Sequence, residues 1–467
     1  MEDVIVLYPS PGRGHLISMV EIGKLILKHH PSFVITILIL SGPNTNTNST
    51  APNYVASSTT KYITTVNSTT PSISFHHLPP ISEVPPSTTS FEELKFLTPR
   101  LNNPNLHQTL KTISQTFKLR AFIIDFFCDA AFEVASNPSS NLDIPTYYFF
   151  TSSANGLALF LYMPTLHKNV DKSFKDLGNM LIESPGIPPT PASDIPGSMS
   201  DRTTQCYEYF LNTAIHMAKS NGILVNMFDS LETKAIKAMS DGLCVPYGVT
   251  PPIFCIGPLI SSSNHDGDEH ECLKSLNSQL SRSVVFLSFG SMRLFAAKQL
   301  KEMAVGLENS QRFLWVVRNP SPHNEKEPNL NELLPKGFFE RTKDKGFVVK
   351  QWAPQVNALS HDSVGGFVTH CGWNSVLEAI SVGVPMVAWP LYAEQRLNRV
   401  FLVEEIKVAL GLKEMEDGAE ELEKQVRELF ELEVGREVRE RVLGFKDEAM
   451  VIQKEGGSSH VALAKLA

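Results

Sequence analysis

The 467-residue chain has few cysteines and no long hydrophobic run. Its six cysteines are scattered without a C-x-x-C pair, which argues against a zinc site and against a disulfide framework. The longest β-branched apolar run, Phe33–Leu40, is far shorter than the roughly 18 residues that span a bilayer. The chain begins Met1-Glu2-Asp3, which is acidic where a secretory signal needs positive charge. These absences predict a cytoplasmic protein that does not insert into membranes.

An excess of positive charge is also missing. Lys and Arg number 41 against 49 Asp and Glu, which gives a formal net charge of −8 at pH 7. A surface that acidic would repel a phosphate backbone, so we expect no nucleic-acid partner. Hydrophobic residues at 42% and charged residues at 19% are typical of a folded globular protein. We therefore expect small-molecule ligands, with a monomer as the default state.

Short β-branched runs alternate with longer segments of helical period along most of the chain. This pattern is typical of βαβ units, and two series of such runs predict two doubly wound α/β domains with parallel sheets. The predicted strands are Val4–Tyr8, Phe33–Leu40, Ala121–Ile124, Thr146–Phe150 and Ile223–Asn226 in the first half, and Val284–Phe289, Phe313–Val317, Phe347–Lys350, Gly366–Thr369 and Pro385–Trp389 in the second.

A polar stretch near the middle of the chain indicates the boundary between these domains. Residues 261–268 are too poor in apolar side chains to pack in a core. We predict an N-terminal domain over residues 1–254, a linker over 255–272, a C-terminal domain over 273–448, and a terminal helix over 449–467 that returns to the N-terminal domain. The segment Asn44–Ser58 is predicted to be a loop.

The segment richest in candidate site residues lies in the second half. After the predicted strand that ends at Thr369, the residues His370-Cys371-Gly372-Trp373-Asn374-Ser375 turn the chain into a helix. Gly372 would let a ligand approach the backbone, and Asn374 and Ser375 supply side chains of the N-cap type. A helix N-terminus of this kind is a site for phosphate, to which His370 could also donate.

Two further residues extend this site toward a nucleoside. Glu378 lies one helical turn beyond Asn374, where its carboxylate could accept hydrogen bonds from ribose hydroxyls. Trp352 offers a flat face for a base. An ordinary strand–turn–helix with a capping Asn would explain the turn by itself. It would not explain the whole set of residues, so the set favours a nucleotide site.

A second candidate site lies near the N-terminus. The strand Val4–Tyr8 leads to Gly12-Arg13-Gly14-His15, so His15 lies where a strand ends and a helix begins, the edge at which doubly wound sheets bind ligands. Asp125 follows the strand Ala121–Ile124 at the same edge. A carboxylate that holds one imidazole nitrogen fixes the tautomer of the ring and stabilises the imidazolium, so the pair predicts a general base. Asp129 is interpreted as a surface carboxylate.

Aromatic residues surround the predicted base. Phe126 and Phe127 follow Asp125 directly, and Tyr147-Tyr148-Phe149-Phe150 form another strand. Alternation along a strand sends only half of its side chains to one face, so most of these rings are expected in the core. The aromatic surroundings nevertheless suit a flat phenolic ligand.

Two common enzyme classes fit the residues less well. The glycines at 12 and 14 suggest a dinucleotide fingerprint, but its third glycine would stand at position 17, which is Ile17. A hydrolase of the Ser-His-Asp type is disfavoured because no G-x-S-x-G elbow is present.

The segment Trp352–Gln395 resembles, over its full length, the plant secondary product glycosyltransferase box of family 1 UDP-sugar transferases. The similarity extends to residues 12–15, Asp125–Cys128 and Phe289–Ser291. The resemblance implies the GT-B fold, two Rossmann-like domains that face each other across a cleft. It also implies an inverting transfer of glucose from UDP-glucose to a hydroxyl of a phenolic plant metabolite such as a flavonoid, isoflavone or chalcone, with no metal or other cofactor.

The resemblance also assigns roles to residues. His15 would be the catalytic base, with Asp125 as its partner. Trp352 would stack on uracil, Glu378 would bind the ribose, and Gln395 would bind sugar hydroxyls and favour glucose. The donor-binding set is Ser291, Trp352, Ala353, Gln355, His370, Gly372, Trp373, Asn374, Ser375, Glu378, Tyr392, Glu394, Gln395 and Thr151. The acceptor pocket is expected to contain Gly14, Phe126, Phe127 and Tyr148.

Two alternatives remain open at this point. An electron-rich aromatic carbon could attack instead of oxygen, which would give a C-glucoside. The chain could also bind a UDP-sugar without turnover. An NAD-dependent oxidoreductase ranks below both.

Overall fold

Two parallel sheets organise the structure, a computed structural model that describes residues 1–40, 53–81, 90–136, 142–260, 270–290, 294–320, 327–412, 418–454 and 456–464. The chain divides into two compact units, one of residues 1–260 with 452–467 and one of residues 261–451. Each unit contains one large sheet with helices between successive strands.

The strands are β1 (Asp3–Tyr8), β2 (Val34–Ile39), β3 (Ile73–His77), β4 (Lys118–Asp125), β5 (Thr146–Phe150), β6 (Leu181–Ile182), β7 (Thr190–Pro191), β8 (Gly222–Val225), β9 (Ile253–Cys255), β10 (Val284–Ser288), β11 (Arg312–Val317), β12 (Gly346–Lys350), β13 (Val364–Thr369), β14 (Met386–Ala388) and β15 (Ala409–Gly411). Apart from the antiparallel pair of β6 and β7, all the paired strands are parallel within the described part of the chain.

The helices are α1 (Arg13–His29), α2 (Asn53–Thr69), α3 (Phe91–Leu101), α4 (Asn103–Thr116), α5 (Ala130–Ser136), α6 (Ala154–Asn169), α7 (Gln205–Met217), α8 (Thr233–Ser240), α9 (Glu271–Asn277), α10 (Ala297–Asn309), α11 (Leu330–Leu333), α12 (Phe338–Thr342), α13 (Gln355–Ser360), α14 (Trp373–Val382), α15 (Gln395–Val400), α16 (Gly418–Glu431), α17 (Glu433–Ile452) and α18 (Ser458–Ala464). Over the residues that the structure describes, no helix combines the length and the apolar character needed to cross a bilayer.

The first sheet has seven strands in the order β3-β2-β1-β4-β5-β8-β9. Residues 4–8 of β1 are all apolar or aromatic and all buried, as expected for a central strand covered on both faces. β1 pairs directly with β4, and Tyr8 lies opposite Ile124. The segments that follow these two strands therefore leave the same edge of the sheet side by side.

The second sheet has six strands in the order β12-β11-β10-β13-β14-β15. Its central strands β10 and β13 pair so that Ser288 lies opposite Thr369. The loops after these two strands are thus neighbours at the carboxyl edge of the sheet, as the equivalent loops are in the first unit. The core behind the sheet includes Trp315, which is fully buried.

The predicted fold class, two doubly wound α/β units, is confirmed, and each of the ten predicted strands overlaps a strand of the structure. The three short edge strands β3, β9 and β15 were not predicted. The prediction of a loop over Asn44–Ser58 is wrong for its last part, because α2 begins at Asn53; residues 44–52 lie outside the described residues.

The end of the chain packs within the first unit. The Ser459 hydroxyl, on α18, donates to the carbonyl of Gly257 at 2.7 Å, and the Ser458 hydroxyl donates to Asp229 at 2.8 Å. His460 meets His29 of α1 with ring centroids 4.0 Å apart. These contacts attach the last helix to α1 and to the segments that follow β8 and β9.

Candidate active site

A histidine and an aspartate meet at the carboxyl edge of the first sheet. His15 Nδ1 lies 2.8 Å from Asp125 Oδ2, and the Asp125 side chain is fully buried while the His15 side chain is 20% exposed. Because a carboxylate accepts hydrogen bonds, this contact places the imidazole hydrogen on Nδ1. Nε2 is then the nitrogen that can take up a proton.

The backbone around this pair explains its geometry. Gly12, with φ at +136°, is the N-cap of α1, and this conformation turns the chain from β1 into the helix that carries His15. Asp125 ends β4 and caps a 3₁₀ turn over Phe126–Cys128, where its Oδ1 accepts from the amide of Phe127 at 3.1 Å. One carboxylate therefore orients the imidazole and begins the next turn.

Aromatic rings form a wall beside His15, which we call the aromatic wall: Phe96, Phe126, Phe127 and Phe210. The ring of Phe127 meets His15 edge-to-face at 5.8 Å and Phe96 at 5.0 Å. Phe127 is half-buried, whereas the other three rings are buried, so Phe127 is the member that an incoming molecule can reach. Gly14 is exposed in the first turn of α1, with no atom within 4 Å of where a Cβ would lie.

Two interpretations of residues near this wall need correction. Tyr148, predicted to line the acceptor pocket, has no exposed surface, and its hydroxyl donates to Asp129 at 2.7 Å. The Tyr148 ring packs against Phe132, with ring centroids 5.9 Å apart, and is not accessible to a ligand. Asp129, interpreted as a surface carboxylate, is buried and also faces His216 Nδ1 at 3.0 Å.

In the second unit, residues 370–372 form a tight turn after β13, which we call the His370 turn. Cys371 has φ at +64°, a strained conformation for a residue other than glycine. The turn is held at both ends: the amide of Cys371 donates to Thr369 Oγ1 at 3.2 Å, and Asn398 Nδ2 donates to the carbonyl of Cys371 at 3.0 Å. Asn398 was not predicted as a site residue; it is fully buried on α15, about one helical turn after Gln395.

The imidazole of His370 lies between two glycines. A Cβ on Gly290 would stand 2.6 Å from His370 Nε2, and one on Gly372 would stand 2.4 Å from the same atom. Burial lowers the pKa of His370 to about 4, and its buried Nδ1 has no hydrogen-bond partner among the described residues. The ring is therefore neutral at pH 7, with one N–H to donate. Gly290 was missed as a site residue, although its place after β10 could have indicated it.

Helix α14 begins directly after this turn. Its N-cap is Gly372, so the expectation that Asn374 and Ser375 supply the cap is wrong; both lie in the first turn of the helix. A glycine N-cap has no side chain to accept from the first amides, and the first turn of a helix leaves its N–H groups without partners inside the helix. With the positive end of the helix dipole, this is an environment for an anion.

Side chains beyond the turn form a polar network. Gln355 Nε2, in the first turn of α13, donates to Ser375 Oγ at 2.9 Å and to Glu378 Oε2 at 2.7 Å. Burial raises the pKa of Glu378 to about 7, although the hydrogen bond from Gln355 opposes the shift. Trp352 is 49% exposed, while Ala353 beside it is buried. The structure thus brings Gln355, Ser375 and Glu378 together, and Trp352, three residues before Gln355, has a half-exposed side chain with His270 at 6.0 Å from its ring.

The other residues predicted to bind the donor lie at the starts of α14 and α15 in the second unit and after β5 in the first. Gln395 is buried, and its Oε1 accepts from the amides of Leu391 and Tyr392 at 2.9 and 3.0 Å, which leaves its Nε2 as the atom that can donate to a ligand. Glu394 is the half-buried N-cap of α15, and Trp373 is buried with its ring 6.2 Å from Phe401. Thr151 follows β5 in the first unit and is half-buried. Ser291 lies outside the described residues.

Replacing Glu378 with Gln should stabilise the protein at alkaline pH. Because the folded-state pKa of Glu378 lies above its unfolded value of 4.5, its contribution to stability is present below pH 4.5 and is lost as pH rises through about 7. Gln removes the buried charge and keeps an oxygen to accept from Gln355. We expect Glu378→Gln to raise the free energy of unfolding by about 1–3 kcal/mol at pH 8.

Circular-dichroism melts at pH 8 and pH 5 test this expectation. At pH 5 the two proteins should melt within a degree or so of each other, because Glu378 is then protonated in the folded state. The matched control is Glu437→Gln on α17, which removes an exposed carboxylate and should shift neither melt. A Glu378→Gln shift of equal size at both pH values would contradict the buried-charge explanation.

Among the described residues, no three His, Cys, Asp or Glu side chains lie close enough together to hold a metal ion. All six cysteines are buried and unpaired with one another.

The chain is similar to sugar-transferring enzymes over its whole length. A family model described as UDP-glucoronosyl and UDP-glucosyl transferase matches residues 199–438. An anthocyanidin 5,3-O-glucosyltransferase from a Rosa hybrid cultivar is 56% identical, in an alignment that covers 100% of this chain and 98% of that protein. Isoflavone 7-O-glucosyltransferase 1 from Glycine max is 48% identical, with 100% and 99% covered.

Solved structures share the fold. The structure of Phytolacca americana UGT2 complexed with UDP-2fluoro-glucose and pterostilbene matches with a TM-score of 0.85 and 34% identity, over 100% of this chain and 98% of that one. A UDP-glucosyltransferase from Polygonum tinctorium capable of glucosylating indoxyl matches with a TM-score of 0.87 and 33% identity, over 100% and 98%.

Proposed function

The chain belongs to the plant family 1 UDP-dependent glycosyltransferases, and on that basis we propose that it transfers glucose from UDP-glucose to a phenolic hydroxyl with inversion at the anomeric carbon. The observation that carries the proposal is the 2.8 Å contact between His15 Nδ1 and the buried Asp125, which leaves Nε2 as a base. The relatives named for anthocyanidin and isoflavone substrates support a flavonoid-like acceptor.

The proposed chemistry begins at the acceptor. A phenol has a pKa of about 10, so a neutral imidazole can take its proton far more readily than that of an aliphatic alcohol. As the phenolic oxygen forms its bond to the anomeric carbon, the proton moves to His15 Nε2. Asp125 stabilises the resulting imidazolium through Nδ1–H. The half-exposed ring of Phe127, which has Lys95 Nζ 4.6 Å from its centroid, can contact a flat acceptor beside His15.

The proposed donor site supplies the other half of the reaction. The diphosphate would lie at the His370 turn, where the neutral imidazole and the first amides of α14 can donate to its oxygens. The bond from the anomeric carbon to the diphosphate oxygen breaks, and UDP leaves with the electron pair. Because these donors are already oriented, they stabilise the charge that develops on the leaving oxygen.

The nucleoside and the sugar would each have their own contacts. The exposed face of Trp352 can stack on uracil, and Glu378 can accept from ribose hydroxyls in its ionised form. Gln395 Nε2 and the Glu394 carboxylate, which lie at the start of α15, would bind sugar hydroxyls. We also propose a cytoplasmic location, which the six buried thiols without a disulfide support.

An acceptor and donor panel tests the proposal. The purified full chain is given UDP-glucose, UDP-galactose or UDP-glucuronate with a flavonol, an isoflavone, a chalcone and an aliphatic alcohol, and the products are identified by mass and nuclear magnetic resonance. We expect β-linked O-glucosides of the phenols from UDP-glucose, and little product from the alcohol. UDP release that stays at the acceptor-free rate with every phenol, or a preference for UDP-glucuronate, would refute the proposal.

A further inference from the structure

A second His–Asp contact, made by the buried carboxylate of Asp129, lies one turn beyond the first. Asp129 Oδ1 accepts from the Tyr148 hydroxyl at 2.7 Å, and the two Asp129 oxygens lie 3.0 and 3.1 Å from His216 Nδ1. Burial, reinforced by Asp129, raises the pKa of Tyr148, so its hydroxyl stays protonated and donates. The hydrogen bond to Asp129 raises the pKa of His216. Asp129 therefore depends on two donors from distant parts of the chain.

These contacts fasten one end of a short segment whose other end is the Asp125 site. The segment, which we call the Asp125–Asp129 turn, is held at Asp125 by His15 and by the Phe127 amide, and at Asp129 by His216 and Tyr148. The turn thus runs from Asp125, the partner of the proposed base, through two rings of the aromatic wall to Asp129. We call Asp129 with its two donors, Tyr148 and His216, the anchor.

Helix α7 contacts this turn at two points. Phe210 packs against Phe126 with ring centroids 5.7 Å apart, and His216, six residues later, faces Asp129. The His216 ring also stacks on Phe132 of α5 at 5.3 Å with an interplanar angle of 25°. A shift of the anchor would therefore move the aromatic wall and the Asp125 carboxylate together.

We infer that His216 and Tyr148, acting through Asp129, are positioning residues that set the acceptor side of the reaction. The inference rests on the proposed function. It adds two residues that affect use of the acceptor without contacting it. Because the residues assigned to the donor, Thr151 excepted, belong to the second unit, losing the anchor should weaken use of the acceptor and leave use of UDP-glucose nearly unchanged.

Two substitutions at His216 separate the effect of its hydrogen bond to Asp129 from the effect of its ring stacking on Phe132. His216→Phe keeps a ring to stack on Phe132 but removes the donor to Asp129. His216→Asn loses the ring but places an amide N–H near the position of Nδ1. We expect His216→Phe to lower kcat/KM for a phenol about tenfold or more, and His216→Asn to stay within about threefold of wild type. KM for UDP-glucose should stay within about twofold in both.

A histidine on α6 that contacts the start of α7 provides a matched control. His167 Nδ1 lies 2.9 Å from the Tyr207 hydroxyl at the start of α7, away from the Asp125–Asp129 turn. His167→Phe therefore removes a similar contact of α7 and should leave kcat/KM for the phenol unchanged. If His167→Phe lowers kcat/KM as much as His216→Phe does, the loss results from any disturbance of the packing of α7, and the inference is overturned.

Further outcomes decide the remaining cases. A His216→Phe protein that melts earlier but uses the phenol as wild type does would show a purely structural contact. Should that variant not fold, Tyr148→Phe removes only one oxygen and should lower kcat/KM for the phenol without changing KM for UDP-glucose; no loss there overturns the inference. A wild-type protein that glucosylates no phenol refutes the proposed function and the inference together. If the wild type is active and both His216→Phe and Tyr148→Phe have its kcat/KM for the phenol, the inference alone is refuted.

Discussion

His15→Ala should lower kcat with a phenolic acceptor by about 10²–10⁴-fold, because it removes the imidazole proposed to take the phenol proton as the new bond forms. The dissociation constant for UDP should stay within about twofold of wild type, since His15 and the proposed nucleotide residues belong to different units. Calorimetric titration with UDP and steady-state rates measured on one preparation give both values.

The control for this prediction is His76→Ala, which removes an exposed histidine of β3 and should leave the rate unchanged. Asp125→Asn adds a second check. An amide at position 125 can hold the ring in the other tautomer, with Nε2 carrying the hydrogen, so the rate should also fall steeply. Full turnover by His15→Ala with a phenol would show that the imidazole is not the base.

Gly372→Ala should weaken binding of UDP and UDP-glucose by about 10²-fold. The new Cβ would stand 2.4 Å from His370 Nε2, far inside van der Waals contact, so the imidazole must move away from the start of α14. The expected result is a raised dissociation constant for UDP by calorimetry and a raised KM for UDP-glucose, in a protein whose circular dichroism remains that of wild type.

Gly444→Ala is the matched control, because it adds the same methyl group inside α17 where nothing lies within 4 Å. A double-mutant cycle with His370→Ala tests the cause. If Gly372→Ala acts by displacing the imidazole, it should do little further harm once that ring is gone. Unchanged UDP affinity in folded Gly372→Ala would mean that the nucleotide does not bind at the His370 turn.

The part of the site built on strand ends could be predicted from the sequence. Once two βαβ series are recognised, His15 and Asp125 must leave one edge of a sheet, and they lie 2.8 Å apart there. The same reasoning places His370 after β13, beside the loop that follows β10. Parallel strands carry this information because their carboxyl ends all point the same way. The catalytic and binding roles of these residues stay predictions.

The contacts that depend on long-range packing could not be predicted. Asp129 was interpreted as a surface carboxylate. Its burial could not be predicted, because its partner His216 lies 87 residues later, on a helix whose packing position no local pattern specifies. Tyr148 was expected in the pocket from the family resemblance, and its burial against Asp129 likewise depends on packing that no local pattern specifies. Length does not explain why the edge strands β3, β9 and β15 were not predicted, because β14 also has only three residues and was predicted.

The left-handed backbone at Cys371 has a consequence for protein design. That conformation is held from within the strand–helix segment by Thr369, and from outside it because Asn398 on a later helix donates to the carbonyl of Cys371. A transplant of residues 364–382 into a foreign scaffold would arrive without this distant tether, and the loop would relax toward an ordinary right-handed path. A transplant intended to keep this turn should therefore extend at least to Asn398.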